Sequence, residues 1–213
     1  MTEPFPNYLD PEPSTPAAYE PSQTALLLLD FHVGIIQRFP DSTALSAVHM
    51  TAQLRHWARA FGIIVIHALV NPTQSPAPTT KGAEKLSSIV ADMVASGGVA
   101  EPAELVERRD DWDLTFTRAP GVVSALQSPG LMDCLRARGI KSLVLCGLST
   151  SGAVLRTAMP ATDAGFVVTV VEDGCADPQQ DVHEMVMGKL LPSRAWVVTH
   201  DQWRKGYEGF HAC

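Results

Sequence analysis

The chain has 213 residues, 46% hydrophobic and 18% charged, with 16 Lys and Arg against 23 Asp and Glu for a formal net charge of −7. This length and composition fit one globular domain with a large shared core, and exclude a small scaffold that needs disulfides or metal to fold. The acidic balance, with no basic run longer than Arg204-Lys205, argues against a nucleic-acid surface and does not suit an anionic membrane.

Residues 1–24 hold Pro4, Pro6, Pro11, Pro13, Pro16 and Pro21 and no Lys or Arg. They lack the basic start and apolar centre of a secretory leader, and read as a Pro-rich arm laid on the domain or on a neighbouring subunit. The domain proper is expected to span 25–213. Six short apolar segments follow: Ala25–Leu29, Gly62–His67, Leu114–Thr117, Ser142–Cys146, Phe166–Val171 and Ala195–Thr199. Most are apolar at successive positions, the pattern of strands covered on both faces in a parallel sheet. The longest uninterrupted apolar run, Ala25–Leu29, is far short of the roughly 20 residues that cross a bilayer.

Helical spacing recurs between these segments. Leu54, Trp57, Ala58 and Phe61 make one stripe, and Leu131, Cys134 and Leu135 open another before the stop at Arg138-Gly139. Val154, Thr157, Ala158 and Ala161 form a third, and Val182, Met185, Val186 and Leu190 a fourth before Pro192. Strand and helix in alternation imply right-handed crossovers and a three-layer, doubly wound α/β domain with a six-stranded parallel sheet. The stretch from Asn71 to Asp113, with Pro72, Pro76, Pro78 and Gly97-Gly98, breaks the rhythm and reads as a lid or interface element. Cys134, Cys146, Cys175 and Cys213 lack CxxC spacing, which indicates neither a disulfide framework nor a zinc knuckle. A reducing, cytoplasmic compartment is expected.

In an open α/β sheet ligands bind at the carboxyl ends of the strands, so the polar residues there are the candidates. Asp30 and His32 follow the first segment, His67 and Asn71 the second, and Arg118 the third. Gly147-Leu148-Ser149-Thr150-Ser151-Gly152 follows the fourth, and Glu172-Asp173 the fifth. Asp30, placed directly after four leucines, sits where desolvation raises a carboxylate pKa towards acid/base use, although an isolated Asp there can also be a turn or capping residue. The Gly/Ser/Thr segment lets backbone N–H groups converge on an anion at a helix start; it is neither a dinucleotide loop nor a P-loop.

The run Ala25–Asp30 resembles the opening strand of the isochorismatase-like (cysteine hydrolase) superfamily, and the segment from Leu131 to Asp177 is similar to that family's most characteristic stretch. The resemblance extends from about Thr24 to Thr199. It implies an isochorismatase-like α/β fold and a small-molecule hydrolase. It also implies a triad of strand-end Asp, a Lys after the third strand, and a nucleophilic Cys at the helix start after the fourth. Asp30 matches the Asp. The Cys position falls on Ala153, because Gly147, Thr150 and Val154 fix the register, and a methyl group cannot be a nucleophile. Arg118 stands near the Lys position, where it holds Asp30 ionised or binds a substrate carboxylate. The resemblance further implies a cis peptide at Leu148–Ser149, aiming the N–H groups of Ser149 and Ala153 at one oxyanion position.

Three functions are therefore weighed. The first is a Cys-less hydrolase in which Asp30 is general acid/base, as in true isochorismatases, which protonate a vinyl ether before water adds. The second is an amidase-type cysteine hydrolase inactivated by Ala at 153, and the third a non-catalytic ligand-binding protein. His67, Asn71, Ser149, Thr150, Ser151 and Gly152 are the expected substrate contacts, although His67 reads equally well as a hydrogen-bonded interior histidine. No metal or cofactor is expected, because the region after the second segment reads His67-Ala68-Leu69-Val70-Asn71 and lacks the family's zinc spacing. A homodimer or homotetramer is expected by analogy. Cys134, Cys146 and Cys175 read as structural, Asp173 and Asp177 as organisers of the loop after the fifth segment, and Trp196 and Trp203 as core or interface.

Overall fold

The computed structural model describes residues 10–211; the first nine residues of the Pro-rich arm, and Cys213, lie outside the described residues. Six parallel strands form one sheet: β1 (Thr24–Leu29), β2 (Ile64–Val70), β3 (Asp113–Arg118), β4 (Ser142–Leu148), β5 (Val167–Ala176) and β6 (Trp196–Val198). Their order is β3-β2-β1-β4-β5-β6. β1 is central and entirely buried: Ala25, Leu27 and Leu29 enter the core on one face, Leu26 and Leu28 the core on the other. Two covered faces explain why that strand is apolar at every position rather than at alternate ones. β3 is an edge, and Thr115 and Thr117 on it reach solvent.

Among the described residues, eight α-helices complete the layers. The short α1 (Val33–Ile36) and long α2 (Thr43–Ala60) follow β1; α3 (Ala83–Ala95) and α4 (Ala103–Val106) lie between β2 and β3. Next come α5 (Leu131–Ala137), α6 (Leu155–Asp163) and α7 (Gln180–Met185), with α8 (His200–His211) closing the described chain. α2 and α8 meet through aromatic rings: Trp57 stacks on Phe61 with centroids 4.8 Å apart and meets the buried Trp203 edge-on at 5.1 Å. The described part of the arm packs on this layer, where Trp196 Nε1 donates to the Ser14 carbonyl and Tyr207 Oη to that of Tyr19. No helix among the described residues is long and apolar enough to cross a membrane.

Two strand ends differ from the sequence expectation by three residues or more. β2 ends at Val70 rather than His67, because Ala68-Leu69-Val70 keeps pairing with β3 through Val70 and Arg118. His67 is thus an interior residue of the strand. β5 runs to Ala176 rather than Val171, so Glu172, Asp173 and Cys175 lie within it. Its pairing with β4 is irregular between Leu145 and Gly147, and Gly174 fits against Cys146 so closely that a Cβ there would lie 2.7 Å from the sulfur.

The excursion between β2 and β3 contains α3 and α4, and its far end is stitched to the start of α1. Val33 N donates to the Ala100 carbonyl and Gly34 N to that of Gly98, both at 2.8 Å. A Cβ on Gly98 would lie 2.8 Å from the Gly34 Cα, so the two backbones approach at a distance only glycine allows.

Candidate active site

Strand order reverses between β1 and β4, and in an open parallel sheet the crevice beyond that reversal is where ligands bind. Register places the two strand ends side by side, since Leu29 pairs with Gly147. A Cβ on Gly147 would lie 2.5 Å from the Leu29 Cβ, so a glycine is required for this approach. Asp30 therefore stands beside the segment Ser149–Ala153 without any motif needing to bring them together.

Asp30 has φ of 55°, in the left-handed region that Asp and Asn tolerate better than most residues. Its backbone N–H donates to the Ala68 carbonyl, which ties the turn to β2. Its side chain retains 9% exposure and meets Arg118 in a bidentate pair, Nη1 to Oδ1 at 3.1 Å and Nη2 to Oδ2 at 2.6 Å. Arg118 spends its other donors on backbone: Nε on the Val122 carbonyl, Nη1 on Ala68 and Nη2 on Val123. A guanidinium has five N–H groups, and these five contacts use them all. Arg118 is thus a charge partner and clamp for Asp30, with no donor left over for a substrate carboxylate. Burial pushes the Asp30 carboxyl above its ordinary 3.8, while Arg118, by its charge and its hydrogen bonds, pulls it back.

His32 is buried and committed at both ring nitrogens: Nδ1 donates to the Val99 carbonyl at 2.7 Å, and Nε2 accepts from Val70 N at 3.2 Å. It joins the excursion to the end of β2, two residues along the chain from Asp30.

After β4 the peptide Leu148–Ser149 is cis, as the family resemblance implies. The chain then makes a wide π-type turn, Thr150–Val154, in which Gly152 departs from helical geometry, before α6 begins. Wide turns of this kind occur often at functional sites. Ala153 is buried in this turn. Two side chains from beyond β5 strap it down. Asp177 Oδ2 accepts from Ser151 N at 2.9 Å and from Ser151 Oγ at 2.6 Å, and the Thr150 hydroxyl pairs with His183 Nδ1 at 2.8 Å. The sequence assigned Asp177 to loop organisation without naming what it holds. It missed His183, which lies within a helical stripe and carries no spacing signal.

The remaining predicted contacts are placed elsewhere. His67 is fully buried, with Nδ1 on Glu101 and Nε2 3.5 Å from Asp113, inside an ionic network that also takes in Arg55 and Arg109. Its expected place at the strand end fails because β2 continues three residues past it. Asn71 Oδ1 is occupied by the Thr73 N–H and hydroxyl, making it a turn residue, and its N–H donates to the Arg118 carbonyl. Cys146 and Cys175 are buried; burial pushes the Cys146 thiol up to about 12 and the Cys175 thiol well above its ordinary value. Neither can supply a thiolate near neutral pH. Among the described residues, no group of three or more His, Cys, Asp or Glu is arranged to hold a metal ion.

Fold and edge together define an α/β protein with a buried, arginine-paired carboxylate at the topological reversal. Comparison with known proteins identifies the class further. Residues 24–202 match the isochorismatase domain, and the chain belongs to the isochorismatase family of hydrolases. It is 29% identical to the phenazine biosynthesis protein PhzD1 of Pseudomonas aeruginosa over 189 residues, 86% of each chain. It is 29% identical to the maleamate amidohydrolase of Pseudomonas putida over 180 residues, 82% of each. Among solved structures, an isochorismatase family protein from Burkholderia thailandensis superposes with a TM-score of 0.67, at 24% identity, over 88% of this chain and 96% of that one. A cysteine hydrolase from Pseudomonas syringae pv. phaseolicola does so with 0.73, at 16% identity, over 99% and 100%. These two likenesses speak for the fold.

Proposed function

We propose that this chain is a cysteine-independent hydrolase of a small molecule, with Asp30 as its general acid/base. The observation that carries the reading is the Asp30–Arg118 pair at the strand-order reversal, beside a helix start whose nucleophile position is Ala153. Burial favours the protonated carboxyl, which an acid catalyst needs. On a vinyl ether, Asp30 would deliver its proton to the terminal alkene carbon and water would add to the resulting oxocarbenium carbon. The hemiketal then splits into an alcohol and a ketone, and the proton lost by water returns to Asp30. The similarity to a protein named a probable isochorismatase from Pseudomonas chlororaphis, 26% identical over 189 residues, supports this bond type.

The test is a mass-spectrometric screen of enol ethers, amides and ureas with the parent and Asp30→Asn. Product from the parent alone supports the reading, and equal product from both rejects it.

The similarity to maleamate amidohydrolase favours a second reading, in which the chain is an amidase-type framework that has Ala in place of the attacking thiol. Ala153→Cys separates the two. A fast-alkylating thiol that brings amide hydrolysis with it supports the amidase framework, and an inert thiol rejects it.

A further inference from the structure

The Asp30 side chain is 9% exposed and that of Arg118 1%, so a small molecule reaches the pair only if a neighbouring element moves. Most neighbours are tied down. The strands are laddered, and Asp177 and His183 strap the turn after β4. Residues 98–101 each give one acceptor to residues 32–34 or to β2. The Gly98, Val99 and Ala100 carbonyls take Gly34 N, His32 Nδ1 and Val33 N, and the Glu101 carboxylate takes His67 Nδ1.

The preceding helix, α3, is held far less. Of its 13 residues only Val90 and Met93 are buried, and Glu84, Lys85 and Asp92 form no ion pair among the described residues. Gly82 and Gly97 flank it with φ of 75° and 73°, and a Cβ on either would have no atom within 4 Å. Both ends thus turn on glycines in open space, where the left-handed backbone costs little and rotation meets no neighbour.

The helix nevertheless spans the reactive edge. A Cβ on Gly34, four residues after Asp30, would lie 2.7 Å from Met93 Cγ, and one on Gly121, three residues after Arg118, would lie 3.5 Å from Leu86 Cδ2. Leu86 and Met93 stand two turns apart, about 10 Å, and rest on the segments that follow the two members of the ion pair. Ile89 and Val90 share their face, each three or four residues from both. None of these four side chains belongs to the hydrophobic core on either face of the sheet. Ile89, half-buried midway along that face, is placed over the gap between the two segments.

We propose that α3 is a lid over the reactive edge, turning on Gly82 and Gly97 to admit substrate and closing to retain it, with Ile89 as the side chain that meets the substrate and limits its size. The lid motion stands on the packing alone, whereas the role of Ile89 in selecting a substrate rests on the hydrolase reading.

The probe is a thiol beside Asp30, Ala153→Cys in the full chain, alkylated at alkaline pH by iodoacetamide or the bulkier iodoacetanilide and read by peptide mass. Met93→Ala in this host removes the seat on Gly34 and should speed both reagents about ten-fold. Ile89→Trp should slow iodoacetanilide about ten-fold and iodoacetamide much less, and Ile89→Ala should speed iodoacetanilide. Ser88→Trp, on the exposed face of the same helix, should change neither rate. Amide exchange in the parent supplies a second measure: α3 should exchange at least about a hundred-fold faster than α2. Equal alkylation with and without Met93→Ala, the same effect from Ile89→Trp and Ser88→Trp, or α3 exchanging as slowly as α2 would overturn the proposal. None of these measurements needs turnover, so a failure of the hydrolase reading would show in the Asp30→Asn screen and leave them unmoved.

Discussion

Asp30 and Asp113 are each held by two nitrogens of a buried arginine, yet their carboxyls move in opposite directions. Asp113 opens β3 at the amino edge of the sheet and takes Arg55 Nε at 3.0 Å and Nη2 at 2.7 Å. Burial would raise its pKa, but His67, Arg55 and Arg59 together outweigh burial and hold it at about 2. Asp30 has one close counter-charge, Arg118 from the other end of the same strand, and there burial prevails. At Asp30 the single arginine does not offset burial, whereas Asp113 has Arg59 and a hydrogen bond from His67 besides its own arginine. Position does the rest. Asp113 stands at the amino edge, away from the ligand-binding end of the strands, with its side chain fully buried, and Asp30 at the edge where strand order reverses, with a sliver of its side chain still open.

The sharpest way to break this contrast is to neutralise each acid in turn. Asp30→Asn keeps a residue that tolerates the left-handed backbone, and turnover should fall by about 10³-fold while circular dichroism still reports a folded chain. Asp113→Asn should do the reverse, leaving kcat per folded molecule unchanged. Thermal unfolding should show a loss of about 3 kcal/mol, because Arg55 is left as an uncompensated buried charge. Next in size is Arg118→Lys. An ammonium has three donors for five acceptors, so Asp30 loses its fixed position, and kcat measured on the same substrate should drop about 10²-fold.

The pH dependences should also diverge. The unfolded chain holds the Asp113 proton up to the ordinary 3.8 and the folded chain only to about 2. This stabilisation is present above about pH 4 and is lost as pH falls towards 2, a limb that Asp113→Asn should flatten in denaturant titrations. For Asp30 the folded chain holds the proton more tightly, so its contribution to stability declines as pH rises from 3.8 through the raised value. If it acts as an acid, kcat should decline over that same rise. The smallest expected effect is none: iodoacetamide should leave turnover intact, because the thiols of Cys146 and Cys175 are buried and remain protonated.

The sheet was legible because burial on both faces writes itself as runs such as Ala25–Leu29, and Asp30 was legible because a charge directly after such a run marks where a buried strand leaves the core. Ala153 was assigned by aligning Gly147, Thr150 and Val154 with the family pattern, and the structure places it in the turn that follows β4. For His67 the sequence left a strand-end contact and an interior histidine open, because a polar residue after an apolar run fits both, and the structure shows the interior one. Only the buried partners Glu101 and Asp113, 34 and 46 residues further along, make it tolerable inside the strand. His183 and Asp177 gave no signal of what they hold because they act through the fold, on hydroxyls that local sequence assigns to capping. The role of Arg118 turned on counting its acceptors, and the carbonyls of Ala68, Val122 and Val123 are silent in any sequence.

The most direct test of the central claim is hydrolysis in ¹⁸O-labelled water by the parent and by Asp30→Asn, with product mass followed before and after thiol alkylation. The account predicts labelled product from the parent, unchanged by alkylation and absent with Asp30→Asn. Product from Asp30→Asn at the parent's rate, or its loss on alkylation, would contradict it.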